Sequence, residues 1–113
     1  MSKEGNRFMW LMVFFDLPVK ERKERRHATR FRNFLLNDGY IMLQFSVYAR
    51  LCNGQERVEK HLDRLQKSLP GKGSVRALQI TDRQYKRMKR LLGKEEKNTA
   101  ADPNQAGSQL FLF

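Results

Sequence analysis

Apolar residues recur along the chain in two periods. Residues 9–15, Met-Trp-Leu-Met-Val-Phe-Phe, are apolar at both parities and stop at Asp16-Leu17-Pro18. A run this short and aromatic predicts a central strand covered on both faces, with Met9, Leu11, Val13 and Phe15 on one side and Trp10, Met12 and Phe14 on the other. The period then lengthens. From about Val19 to Asn37 the pattern predicts a helix whose first half, Lys20 to Arg26, is almost wholly charged. Its second half sets Ala28, Phe31, Phe34 and Leu35 at helical spacing, a stripe able to dock on a sheet. Asn37-Asp38-Gly39 predicts the stop, with Gly39 free to turn left-handed. Tyr40 to Cys52 alternates again: Ile41, Leu43, Phe45, Val47, Ala49 and Leu51 make one apolar face, opposite Met42, Gln44, Ser46, Tyr48 and Arg50. That length fits two strands or one bent strand, with the break near Gln44 to Ser46.

Asn53-Gly54-Gln55-Glu56 has the form of a capping box with Asn53 as N-cap. Val58, Leu62, Leu65 and Leu69 then form the stripe of a second amphipathic helix, stopped by Pro70-Gly71. Val75 to Thr81 is a further strand. Thr81-Asp82-Arg83-Gln84 repeats the capping pattern and opens a short helix with Tyr85, Met88, Leu91 and Leu92 on its apolar side. Lys94 to Ser108 is polar, and Gln109 to Phe113 is strand-like again. The order β-α-β-β-α-β with an appendage is that of an α+β, ferredoxin-like sandwich. The expected organisation is one domain over residues 1–92, a flexible tether over 93–108 and a docking strand over 109–113. Two helices cover only one face of such a sheet. The two-sided apolarity of residues 9–15 therefore predicts a symmetric homodimer, and the terminal strand would add to the edge of a neighbouring sheet.

Charge narrows the partners. The 113 residues carry 23 Lys and Arg against 12 Asp and Glu, a formal charge of +11, which favours a polyanion. A membrane partner is disfavoured: the longest apolar run, Phe8 to Phe15, is far below the roughly 20 residues of a spanning helix. No small-residue cleavage site follows it, so no secretory signal is expected. Cys52 is the single cysteine, which excludes an internal disulfide and fits a reducing cytoplasm, with Cys52 as a small buried hydrophobe.

Lys20, Arg22, Lys23, Arg25, Arg26, Arg30 and Arg32 crowd the first helix; Lys86, Arg87, Lys89 and Arg90 crowd the third, with Arg76 and Arg83 assigned nearby. No aromatic interleaves with the first cluster as a single-strand stacking platform requires, and no recognition-helix motif is visible. The chemistry fits sequence-independent contact to duplex phosphates. The alternative is a set of ordinary solvated faces with Glu21 and Glu24 as partial partners.

Asp16 is the one acidic residue at the C-terminal edge of the first strand, with the parity of Trp10, Met12 and Phe14. On a dimer formed through that face it approaches its symmetry mate. Paired carboxylates repel unless protonated or bridged, so a shared Mg²⁺ or Mn²⁺ acting on a phosphodiester is one reading. The other is that Asp16 caps the turn before the first helix. One carboxylate per chain is a poor hard-metal site. His27 and His61 read as surface or half-buried helical residues rather than general bases, and Ser46 as a strand hydroxyl near the dimer seam, with no local base to activate it.

The linked blocks Phe14-Phe15-Asp16-Leu17-Pro18, Phe31-Arg32-Asn33-Phe34-Leu35-Leu36-Asn37-Asp38-Gly39-Tyr40 and Met42-Leu43-Gln44-Phe45-Ser46-Val47-Tyr48 resemble the CRISPR-associated endoribonuclease family that forms the small subunit of the spacer-acquisition complex, most closely its type II branch. The similarity covers about residues 8–92. It implies a ferredoxin-like homodimer that bridges two dimers of the larger integrase subunit and supports a duplex DNA prespacer on its basic surface. The terminal strand would dock on the integrase or complete the dimer. Asp16 matches the family's metal-linked acidic residue, which implies a metal-dependent RNase or DNase activity. Phe15 stands where some relatives carry a second acidic residue, which weakens cleavage and leaves the scaffold role intact. A toxin-like RNase or a translation-associated protein of similar size and charge is a third class, and the terminal strand counts against it.

Overall fold

The computed structural model describes residues 7–93. The expected tether from residue 94 onward and the expected docking strand at 109–113 lie outside the described residues. Strand β1 (Phe8–Asp16) leads into helix α1 (Arg22–Asn37), strands β2 (Ile41–Gln44) and β3 (Val47–Asn53), helix α2 (Gln55–Gln66), strand β4 (Ser74–Thr81) and helix α3 (Asp82–Lys86). The strands form one antiparallel sheet in the order β2-β3-β1-β4, the ferredoxin-like arrangement. The long aromatic run is central because each of its edges finds a partner: Val13 pairs with Tyr48 on one side and with Ala77 on the other.

Register then assigns the faces. Leu11, Val13 and Phe15 turn toward the helices and pack with Phe31 and Leu35 of α1, Val58 and Leu65 of α2, and Tyr48 and Cys52 of β3. Leu11, Val13, Leu35 and Val58 are each at most 1% exposed, and full burial of one such side chain is worth about 1.5–3 kcal/mol. Burial pushes the Cys52 thiol up, as expected of an inert structural cysteine. Tyr48 comes from the more polar parity of its segment, and it is the partner that fills the core. The apolar parity Ile41, Val47, Ala49 and Leu51 lies on the sheet's other side with Trp10, Met12 and Phe14. The predicted break falls at Phe45-Ser46, with a register shift between Met42 and Gln44.

Among the described residues that second face is covered only at one end. There α3 folds back so that Tyr85 stacks on Trp10 at 3.8 Å between ring centroids, while Trp10 Nε1 donates to Asp82 Oδ1 at 2.8 Å. Elsewhere the face is open: Leu78 is 51%, Ile41 49% and Leu51 41% exposed.

The helix ends differ from expectation by a few residues, for local reasons. α1 starts at Arg22 because Glu24 reaches back, its Oε1 accepting the amides of Lys20 and Glu21 at 3.0 Å each. It stops as predicted: Gly39 (φ +94°) lets the Tyr40 amide bond the Leu35 carbonyl and the Gly39 amide that of Leu36. Asn53 is still paired with Phe8 in the sheet, so Gly54 (φ +104°), not Asn53, is the N-cap of α2. α2 ends at Gln66, before Pro70 can bar the helical conformation from its predecessor. α3 does open on the Thr81–Gln84 capping box but closes at Lys86, leaving Leu91 and Leu92 in solvent. Among the described residues no helix is long and apolar enough to cross a membrane.

Candidate nucleic-acid interface and acidic site

The basic residues fall into three groups rather than the expected two. On α1 the sequence sets Arg22, Arg26, Thr29 and Asn33 at intervals of three or four residues, on the side opposite the buried stripe Ala28, Phe31 and Leu35. With Arg25 and Arg30 they line an open trough of about 510 Å³ along the helix. Arg22 to Asn33 spans about 16 Å at 1.5 Å per residue, enough to follow a few consecutive phosphates of one strand. The side chains of Arg22, Arg26 and Arg30 make no hydrogen bond or ion pair with other described residues, so their charge is open to a ligand. Arg25 is partly engaged: its Nη1 donates to the carbonyls of Val19 at 3.1 Å and Lys20 at 2.8 Å, tying the approach loop to the helix. Lys20 lies in that loop, and Lys23 turns to the flank facing Pro70. Arg32 is spent on structure. Its guanidinium lies 3.8 Å from the Phe45 ring centroid, holding the β2–β3 turn against α1, and burial lowers its pKa while Tyr48 raises it.

Arg76 is not beside α3. It pairs with Phe14 on the open sheet face, near the C-terminal end of β1. Arg83, Lys86 and Arg87 lie at the opposite end, where β4 hands over to α3, and Lys86 is bound to Asp82 at 3.0 Å. Seven residue steps along β4 separate the pairs Asp16–Ser74 and Met9–Thr81, about 23 Å of strand.

Asp16 is exposed and stands on the open face, as its parity predicts. It does not cap α1, whose N-cap is Glu21. Gly73 (φ +101°) fixes its surroundings: a Cβ there would meet the Asp16 carbonyl at 2.7 Å, so only glycine lets the turn before β4 pass so near. The amide of Phe15 is held by the Ser46 carbonyl at 3.1 Å, which places Ser46 in the β2–β3 turn rather than on a strand. Among the described residues no three His, Cys, Asp or Glu side chains converge as a metal site. Among the described residues one chain supplies Asp16 alone there, which does not fit a Mg²⁺ or Mn²⁺ ion that needs several oxygen ligands.

The chain matches the family model described as CRISPR associated protein Cas2 over residues 9–88. The chain belongs to the Cas2 family. It is 54% identical over 85 residues to a CRISPR-associated endoribonuclease Cas2 of Acidovorax ebreus (strain TPSY), covering 75% of this chain and 83% of the relative. The proteins of the same description from Flavobacterium psychrophilum and Parvibaculum lavamentivorans are each 44% identical, covering 95% and 93% of this chain and 90% and 100% of theirs. The matched span runs from β1 through α3, so the Cas2 resemblance of the linked sequence blocks holds over the whole sandwich.

Two clusters of this Cas2 sandwich escaped the sequence reading. Asp38 does more than stop α1. It is buried, with Oδ2 2.8 Å from His61 Nδ1 and Oδ1 2.7 Å from Arg64 Nε, while its carbonyl accepts Arg50 Nε at 2.8 Å. His61 is thus buried, against the expectation of a surface or half-buried residue. Its spacing from Val58 and Leu65, three and four residues, carried the signal: it lies on the apolar stripe of α2. The Trp10–Tyr85–Asp82 contact joins residues 72 or more apart and left no local trace.

Proposed function

We propose that this chain is the dimeric nucleic-acid-binding subunit of the CRISPR adaptation complex, bridging dimers of the larger integrase and supporting duplex prespacer DNA. The observation that carries this reading is the α1 trough, where Arg22, Arg26 and Arg30 stand in line without partners among the described residues. Such a line neutralises backbone phosphates without reading bases. The open apolar sheet face supports the homodimer, since it buries the exposed Leu78, Ile41 and Leu51.

A second reading is favoured by Asp16, exposed on that same face, and by the endoribonuclease description of the relatives. On a dimer two Asp16 carboxylates would face one another, and the protein would hydrolyse RNA or DNA with Mg²⁺ or Mn²⁺.

One experiment separates the two. Duplex binding and integration are measured with the purified integrase and wild-type protein, an Arg22→Glu/Arg26→Glu/Arg30→Glu variant, or Asp16→Asn. The scaffold reading expects the triple variant to lose binding, with the log–log salt slope falling by about 0.9 for each phosphate it no longer neutralises, and Asp16→Asn to integrate normally. Unchanged affinity in the triple variant overturns the trough. Failure of Asp16→Asn to integrate, with its dimer intact, moves the assignment to the nuclease.

A further inference from the structure

α1 has a second accessible side. Next to the trough, the helix faces the loop at residues 68–72, and a pocket of about 330 Å³ opens between them. His27, Phe34, Leu69 and Pro70 line it over the buried Phe31, and Ser68 and Gly71 close the loop side. Its volume is near the roughly 300 Å³ lower limit of small-ligand sites. Leu69 is 40% exposed, so the pocket is open to solvent.

Arg30 lines both this pocket and the trough. On the helical wheel it stands between the outward line of Arg22, Arg26 and Asn33 and the flank that carries His27 and Phe34. A strand whose phosphates follow the outward line therefore passes the pocket mouth at Arg30. Only a base that is not paired can leave the strand and enter. Flat, apolar and aromatic walls with a hydroxyl and an imidazole at hand suit a nucleobase, which stacks through its face and bonds at its edge. The side chains of His27, Ser68 and Arg30 make no hydrogen bond with other described residues, so all three are available.

We propose that the pocket between α1 and the 68–72 loop is a subsite for one unpaired nucleobase of a nucleic acid held along the α1 trough. This rests on the trough's binding phosphates and adds a preference the trough lacks: a strand with an unpaired stretch binds better than a blunt duplex. His27 and Phe34 stack on the base, and Arg30 holds the adjoining phosphate.

The test compares two probes of equal charge at fixed salt: a short duplex with a single-stranded thymidine extension, and the same duplex with an abasic extension. Because their phosphates are equal in number, the electrostatic contribution cancels. Wild-type protein is expected to bind the thymidine probe about 5-fold or more tightly, the lower end for one stacked base. His27→Ala/Leu69→Ser is expected to bring the two affinities together and leave blunt-duplex affinity within about 2-fold of wild type, since neither residue lines the trough. Equal wild-type affinities overturn the base subsite and leave the pocket to another occupant such as an acidic peptide. That comparison needs no variant, so misfolding cannot mask it. Absence of binding to any probe overturns the trough reading as well, whereas base-independent binding overturns the subsite alone.

Discussion

At Asp38 three elements meet: the end of α1 supplies the carboxylate, α2 supplies His61 and Arg64, and β3 supplies Arg50. The side chains of Asp38 and His61 are 6% and 7% exposed, so neither can recover its partner from bulk water. Asp38→Ala is expected to lower the urea-unfolding free energy by about 2 kcal/mol or more, the cost of orphaned buried polar groups, and a loss below about 0.5 kcal/mol would mean that solvent replaces the carboxylate. Arg64→Ala is expected to cost about 1 kcal/mol or less, because its side chain is 50% exposed and water screens the pair. Gly39 belongs to the same cluster, since a Cβ there would lie 3.1 Å from the Arg50 guanidinium. The helix stop at Asn37-Asp38-Gly39 was readable from residue type alone. The burial of Asp38 was not, because it depends on an arginine and a histidine more than twenty residues away.

Among the helices, α3 is the shortest and the one held most plainly by polar contacts. The indole N–H of Trp10 and the ammonium of Lys86 both favour the ionised Asp82, and they hold its pKa below the usual carboxylate value. A lowered folded-state pKa gives stability that is complete above the unfolded value of about 3.9 and is lost as the pH falls through the folded one. Hence the stability difference between wild type and Asp82→Asn should be constant from neutrality to about pH 5 and shrink toward zero below about pH 4. Trp10 fluorescence reports the same step directly, because the stacked Tyr85 leaves with the helix. A difference that persists undiminished into acid would show that Asp82 acts by shape and not by charge. The same element marks where sequence reading stopped. Strands and long helices follow from alternation and from 3.6-residue spacing, and β1, β4 and the core stripes of α1 and α2 were placed within a few residues. The side of the sheet that α3 covers is a tertiary choice. So is the core position of Tyr48, where apolar alternation pointed to the wrong face because β3 carries large side chains on both.

Among the described residues the sheet has α1 and α2 on one face and, beyond the end covered by α3, an aliphatic field on the other, and the proposed homodimer uses that field. Leu78 sits across from Met12 and is 51% exposed, so Leu78→Arg has little to disturb within one chain. It is expected to convert the dimer to a monomer by sedimentation while leaving the far-ultraviolet dichroism unchanged. A wild-type protein that sediments as a monomer at micromolar concentration would remove the dimer from the proposal. At this scale charge and the family blocks pointed to the proposed nucleic-acid role. They did not separate Arg76, near Asp16, from the basic residues of α3, because that separation is set by strand pairing.

The trough lies on the outer side of α1 and Asp16 on the opposite face of the sheet, with the hydrophobic core between them. A genetic consequence follows. An allele that loses the α1 arginines and an allele that loses Asp16 damage non-overlapping surfaces of one subunit. When the two are expressed together, mixed dimers of the proposed kind would restore whichever surface each parent lacks on one half of the assembly. Rescue of a phenotype by such a pair reveals whether one intact copy of each face is enough, or whether symmetry itself is required.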